Sequence, residues 1–412
     1  MSLLTLTLKS MVSRKLTSAL LILSISISTM LFIGIQKITD GAKKSFSHSL
    51  SGTDLIIGAR SGDIQLLMYT VFRQGKPVAN MSWESVMEIK ANKNVQWLVP
   101  ISLGDSHKHF PVLGTNQAYF NHYRYGNKIN LKLAKGRPFN TPFEAVIGSQ
   151  VAQKLNYSLG QNIHLSHGMS KGNLPVHQQH PFQITGILKP TGTPVDKTIH
   201  VPLEGITAIH LNWNAQKTKA LNIDELNLTP SSITGCLVGL KSKFSIFSFQ
   251  QTITQWEKEP LMAIIPGVTL ANLWRNISTI DTAFFIITIG VTLISFIGLL
   301  LGLFLSLQQR KNELAILRLM GAHPRQLSIM LLLESTIITV LSVIFGGILT
   351  RIIGWFMHPI LEERLGLILN TYAITGTDIY FSLSMVGCGI FIGFIPAVLA
   401  YKTGKKEGFI SI

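Results

Sequence analysis

Charge is what this sequence has least of. Of its 412 residues only 14% are Asp, Glu, Lys or Arg, against about 25% in soluble globular proteins. Mean hydropathy is +0.35, and the shortfall of charge points to membrane segments. Cysteine is nearly missing too. Cys236 and Cys388 cannot build a disulfide framework, and Cys388 falls inside a candidate span, so the two are not expected to meet. Acid is scarcer than base, 20 residues against 36, for a net charge of +16. In a chain this apolar the surplus is read by location before nucleic acid is considered, and no nucleic-acid partner is expected. A phosphate-binding G-x-x-x-x-G-K-[ST] loop does not occur, because "QGKPV" from Gln74 lacks the spacing. "IGSQV" from Ile147 is not a G-x-S-x-G elbow, and no nucleophile elbow or Ser-His-Asp order that can be defended is present. The chain is therefore not expected to be an enzyme.

What is present is four stretches of membrane length, which takes about 20 mostly apolar residues. They are Leu16 to Ile35, about Thr282 to Leu307, about Leu327 to Phe356, and about Ile379 to Leu399. The first exceeds the apolar run of a signal peptide, and no small-x-small cleavage site follows before Lys37, so it reads as an uncleaved anchor. Orientation follows from Lys and Arg in the short flanks. Lys9, Arg14 and Lys15 precede the first span. Arg310, Lys311, Arg318 and Arg325 join the second to the third, and Lys402, Lys405 and Lys406 follow the fourth. The third-to-fourth connection carries Glu362 and Glu363 beside Arg364. Both termini are therefore expected in the cytoplasm, with residues 40–275 outside as one large domain or two small ones. The resulting division is 1–39, 40–275 and 276–412.

The outer region reads as mixed α/β. "WESVMEIKAN" and "GSQVAQKLN" place Val86 with Ile89, and Val151 with Leu155, on single helical faces. "FEAVIG", "PFQITGILKP" and "TIHVPL" read as strands bounded by Gly and Pro, and "ANKNVQWLVPISLG" as a helix end running into a strand. "LKPTGTPVDKT" reads as a loop, and "LNWNAQKTKALNIDELNLTPSS" as a loosely ordered insertion. "TQWEKEPLMAIIPGVTLANLWRNIST" suits a helix continuing out of the second span.

The segment "RKNELAILRLMGAHPRQL", Arg310 to Leu327, surfaces between the second and third spans. At about 100° per residue, Ala315, Ile316, Leu319 and Met320 gather on one side. Arg310, Lys311 and Arg318 gather on the other with Leu314, and Glu313 lies at the border. Gly321 suits the residue after a helix end, and Pro324 bars continuation without a break. One reading is a positive-inside loop with snorkelling arginines. The other is a docking helix over 308–322 whose apolar stripe enters a groove on a soluble partner.

This segment resembles the start of the permease module of FtsX/MacB/LolC-type (type VII) ABC transporters. The shared features are the basic pair Arg310 and Lys311, Glu313, the run Leu314 to Leu317, Arg318, the small-residue break Gly321–Ala322, Arg325 and the early Glu334. "IPAVLAYKTGKKEGF" at the C-terminus is similar as well. In the outer region "VLGTNQAYF", "KLAKGRPFN", "FEAVIGSQVAQKLNYSLGQNIHL" and "FQITGILKPTGTPVDKTIHVPL" resemble the MacB-like periplasmic domain. "GTDLIIGARSGDIQLLMYTVFRQGKP" departs from the family pattern and reads as a strand and helix of the core, with a dimer interface or substrate contact as the alternative. The resemblance implies four transmembrane helices, one plus three, around a large mixed α/β domain, in a bacterial inner-membrane permease. It implies a cytoplasmic ABC ATPase as partner, carrying the ATP and Mg, since no cofactor is expected in this chain. It also implies a second permease copy or paralogue, a periplasmic adaptor or substrate protein, and contact with membrane lipid. Arg310, Lys311, Glu313, Leu314, Leu317, Arg318, Met320 and Gly321 would form the ATPase-coupling surface. The work done outside would be efflux through an adaptor or lipoprotein handling. The alternative is a signalling permease that regulates a periplasmic enzyme and moves no substrate.

Weaker signals remain. His164, His167, His177 and His180 are the metal candidates, since imidazole suits zinc. If "NIHLSH" is a strand, His164 and His167 point to opposite faces, and solvated histidines on a hairpin are the plainer reading. Glu334, about two turns into the third span, is costly there; it reads as a structural group near the interface bonded to neighbouring Ser or Thr, with proton coupling as the lesser alternative. Gly346, Gly347, Gly354, Gly387, Gly389 and Gly393 suit close helix packing.

Overall fold

The computed structural model describes residues 3–167, 180–214, 227–309, 323–365 and 373–407. The chain divides into two units, residues 43–276 and a second made of 1–42 with 277–412.

Four helices are long and apolar enough to cross a membrane: Lys15–His48, Pro266–Gln309, Pro324–His358 within Pro324–Leu365, and Gly376–Lys402 within Gly376–Glu407. Fewer than half the residues of each apolar window are buried. Each helix thus turns much of its apolar surface outward, as a lipid-facing helix must. The inner faces meet in a cluster of Met11, Ile25, Phe296, Leu299, Leu303, Ile338 and Met385. The expected helix out of the second span is continuous from Pro266, whose fixed φ suits a first turn, but Leu261–Ile264 before it is a strand.

A short helix, Leu3–Ser13, precedes the first membrane helix and was not legible from the sequence. Met11 joins the helix cluster while Leu4, Leu8 and Val12 are exposed.

In the other unit a mixed sheet runs Leu261–Ile264, Leu55–Ala59, Gly235–Leu240, Val95–His107, Phe110–Thr115, Ile199–Pro202, Glu144–Ile147, Phe182–Leu188, Leu133–Gly136. The 13-residue strand Val95–His107 is its spine. Its first half pairs with Gly235–Leu240 and its second with Phe110–Thr115, with a register shift between Leu103 and Ser106. One half of the sheet is covered by Val86 and Ile89 of helix Trp83–Ala91 and by Phe249 and Ile253 of helix Ile246–Thr254. The other half is covered by Val151 of helix Ser149–Leu155 and Ile206 and Ile209 of helix Leu203–Asn214. Ser82 caps Trp83–Ala91, its Oγ accepting from Ser85 N at 3.2 Å. The divergent stretch after the first span forms strand Leu55–Ala59 and helix Asp63–Thr70, with Leu66, Leu67 and Tyr69 buried in the core. The expected loop at "TGTPVDKT" contains a short 3₁₀ turn, Pro194–Lys197.

Candidate functional site: the polar ends of the membrane unit

The connector segment itself, with Arg310, Lys311, Glu313, Leu314, Leu317, Arg318, Met320 and Gly321, lies outside the described residues. Its frame does not. The described part of the second membrane helix runs to Gln309, and the third begins at Pro324. Ser306 O accepts from Arg14 Nη1 at 2.8 Å. Ser306 Oγ donates to Oε1 of the buried Glu334 at 3.4 Å. Ser328 Oγ donates to Ala397 O of the fourth helix at 2.8 Å. The polar groups at this end thus tie the second, third and fourth membrane helices to one another and to Arg14, which immediately precedes the first, and Glu334 is one of the ties.

At the other end Lys37, near the exit of the first membrane helix, meets Asp378 in the first turn of the fourth at 2.7 Å. Both side chains are about 10% exposed. Lys37 Nζ also donates to Ala373 O at 2.7 Å, and Asp378 Oδ2 accepts from Thr375 N at 2.9 Å. Pairing and hydrogen bonding together are what make a buried charge tolerable. The sequence reading used Lys37 only as the limit of an apolar run and missed the pair. The one available signal was an acid in the opening turn of a span, where it complements the positive helix end.

Between the two ends the helices pack on small residues. Ser28 Oγ and Ser295 Oγ lie 2.7 Å apart, and Ser26 Oγ donates to Ser342 O at 3.0 Å. A Cβ added at Gly346 would fall 2.7 Å from Thr29 Cβ, one at Gly389 2.1 Å from Thr339 Oγ1, and one at Gly393 1.9 Å from Ser335 Oγ. Gly387 differs, with open space around it.

In the outer unit, the residues that carried the resemblance are architectural. Arg137 and Glu144 form a two-pronged pair, Nη1 to Oε2 at 2.9 Å and Nη2 to Oε1 at 2.6 Å. Asn140 N adds a bond to Oε2 at 2.6 Å. The Arg137 guanidinium holds the carboxyl well below the usual range, at about 2. Asp196 accepts from Thr191 N and Gly192 N at 2.9 and 2.7 Å, closing the loop over Gly148, where a Cβ would meet Val195 O at 2.3 Å. Burial pushes the Asp196 carboxyl up. Arg73, in the left-handed region at φ 58, is buried and donates to Tyr119 Oη at 3.4 Å. Burial, aided by Arg73, holds His200 down to about 3, so it is neutral.

The histidine candidates separate. His164 lends its backbone carbonyl to His107 Nδ1–H at 2.5 Å, while His107 Nε2 accepts from Tyr157 Oη at 2.8 Å. His180 stacks on Phe143. The expected continuous strand is broken between Asn162–Ile163 and Ser166–His167. His177 and the His167 side chain lie outside the described residues. Among the described residues no three His, Cys, Asp or Glu are grouped to hold a metal ion.

Two family models cover most of the chain. The MacB-like periplasmic core domain matches residues 18–255, and the FtsX-like permease C-terminal domain matches 285–406. The chain belongs to the FtsX/MacB-type family of ABC transporter permeases. Permeases of this type generally work with a cytoplasmic ABC ATPase and are not themselves catalytic. Four membrane-length helices with a MacB-like periplasmic domain fit a multi-pass inner-membrane protein. Among solved structures, this permease is similar to the periplasmic region of MacB from Actinobacillus actinomycetemcomitans. The identity is 11% and the TM-score 0.36, over 55% of this chain and 94% of that one. It is also similar to the extracellular domain of the noncanonic ABC-type transporter YknZ from Gram-positive bacteria. There the identity is 16% and the TM-score 0.30, over 51% of this chain and 98% of that one. Among curated proteins no sequence match is found.

Proposed function

We propose that this permease couples ATP hydrolysis by a separate cytoplasmic ATPase to conformational work in the periplasm, either efflux through an adaptor or lipoprotein handling. Both termini lie in the cytoplasm, residues 43–276 in the periplasm, and two permease copies, or this chain and a paralogue, form the working unit. ATP and Mg belong to the ATPase. The observation that carries this reading is the connector: a basic, amphipathic segment set between two membrane helices, in a chain with no phosphate loop of its own. Its apolar residues, with Glu313, Leu314, Leu317 and Arg318, dock the ATPase, and the polar ties behind it pass the displacement to the helices they join.

The test is recovery of the ATPase with the tagged permease. Combined Glu313→Ala, Leu317→Ala and Met320→Ala is expected to lower recovery at least ten-fold. That corresponds to losing about 1.4 kcal/mol, a modest demand on two buried apolar contacts. Membrane insertion stays intact. Undiminished recovery overturns the docking role.

A further inference from the structure

The membrane unit holds a groove of about 450 Å³ between the first, third and fourth membrane helices, a volume within the range of small-ligand sites. Its walls are aliphatic, among them Ile33, Val343, Ile344, Leu383 and Val386. One end is polar and holds Lys37, Arg351 and Asp378. Lys37 lies about 33 Å along its helix from Lys15, which places this end at the edge of a hydrocarbon layer about 30 Å thick. The groove is therefore an apolar trough with a charged mouth, at the end from which the chain leads into the outer unit.

The charges at the mouth do not cancel. Lys37 and Asp378 neutralise one another at 2.7 Å. Arg351 remains, half-buried, with Nη1 donating to Gly347 O of its own helix at 3.0 Å. Among the described residues no carboxylate pairs with it. A guanidinium presents five donors in a planar fork that matches phosphate oxygens. Apolar walls ask for an acyl chain, and the surplus positive charge asks for an anionic head group rather than a zwitterionic one.

We propose that this groove binds an anionic phospholipid from the leaflet at the Lys37 end of the membrane unit. One acyl chain lies along the trough and the head-group phosphate sits on Arg351. The lipid fills the space between three helices and couples their packing to the composition of the membrane. This site needs only the membrane unit and stands apart from the ATPase.

The experiment uses the full chain, purified and exchanged into nanodiscs of phosphatidylglycerol or phosphatidylcholine, with retained lipid counted by native mass spectrometry after release. The wild type is expected to retain phosphatidylglycerol in preference. Arg351→Gln should lower that retention about five-fold, the weight of one basic residue on an anionic lipid surface, and leave phosphatidylcholine unchanged. Arg351→Lys keeps the charge and should keep most of the preference, which separates lost binding from lost folding. Val386→Trp fills the trough and should release lipid of both kinds. Equal retention of the two lipids by the wild type overturns the proposal, as does full phosphatidylglycerol retention by Arg351→Gln. Disulfide capture of a second copy by Val386→Cys in a Cys388→Ser background would show that protein, not lipid, covers the groove.

Discussion

Replacing Gly389 with alanine adds a single methyl group, and the structure says where it must go. Its Cβ would lie 2.1 Å from Thr339 Oγ1 and 2.8 Å from both Cβ and Cγ2 of Thr339, where ordinary contact begins at 3.4 Å. No Thr339 rotamer relieves this, because Cβ does not move when χ1 turns. Thr339 Oγ1 is in any case held by Ser335 O at 2.7 Å. The third and fourth membrane helices must separate, or a side chain must leave its well. Overpacking of this kind costs roughly 1–3 kcal/mol, against which alanine regains up to about 1 kcal/mol of helix propensity. The net expectation is a loss of about 1–2 kcal/mol. Gly387→Ala, two residues away with nothing within 4 Å, is the internal control and should be neutral or slightly stabilising. Thr339→Gly should rescue Gly389→Ala in a double-mutant cycle by more than its own cost. The assay is denaturant-induced unfolding of the full chain in mixed micelles. Equal stability of the Gly389→Ala and Gly387→Ala proteins would refute the reasoning.

Two further outcomes follow from ion pairs. Asp378→Asn should destabilise the membrane unit by about 3 kcal/mol, since it strands a buried ammonium. Adding Lys37→Met should recover most of that loss in thermal unfolding of the detergent-solubilised protein. In the outer unit the Glu144 carboxyl has its folded value depressed to about 2 from 4.5. Its contribution is therefore fully present above about pH 4.5 and is lost as pH falls toward 2. With Arg137 half-exposed, the contribution is about 1–2 kcal/mol. Glu144→Gln should lower the unfolding temperature by a constant amount above pH 5, and the gap from wild type should close in acid. His200, neutral to about pH 3, costs both proteins stability below about pH 6.5, so the gap and not the fall is the readout.

The membrane helices were legible because each is a single run of apolar residues, a signal that needs no partner. The helices on the sheet were legible through pairs such as Val86 with Ile89, which mark one face whatever they pack on. The sheet order was not. Val95–His107 pairs with Phe110–Thr115, which follows it directly, but also with Gly235–Leu240 from more than a hundred residues away, and nothing local in "VQWLVPISLGDSH" names that second partner. Gly389 and Gly393 were recognisable as packing glycines, but Gly387 has the same composition and a different neighbourhood. The Lys37–Asp378 pair joins opposite ends of the chain, and only the folded helices bring it together. Helix Leu3–Ser13 was hidden because Lys9, Arg14 and Lys15 make the segment read as a basic flank, and the helix stops one residue short of Lys15–His48.

The sheet of the outer unit begins and ends on neighbouring strands. The chain enters through Leu55–Ala59 and leaves through Leu261–Ile264, hydrogen-bonded side by side with Ile56 opposite Ile264. Paired residues in such a ladder lie about 5 Å apart, so roughly two hundred residues of structure open and close across the width of a single hairpin. To the rest of the chain this domain is a long loop with a narrow neck. A neck that narrow accepts many cargoes: a different fold with adjacent ends, or a plain β-turn, can be spliced between the same two strands without changing the spacing of the helices that follow. One permease frame can thus carry unrelated outer modules.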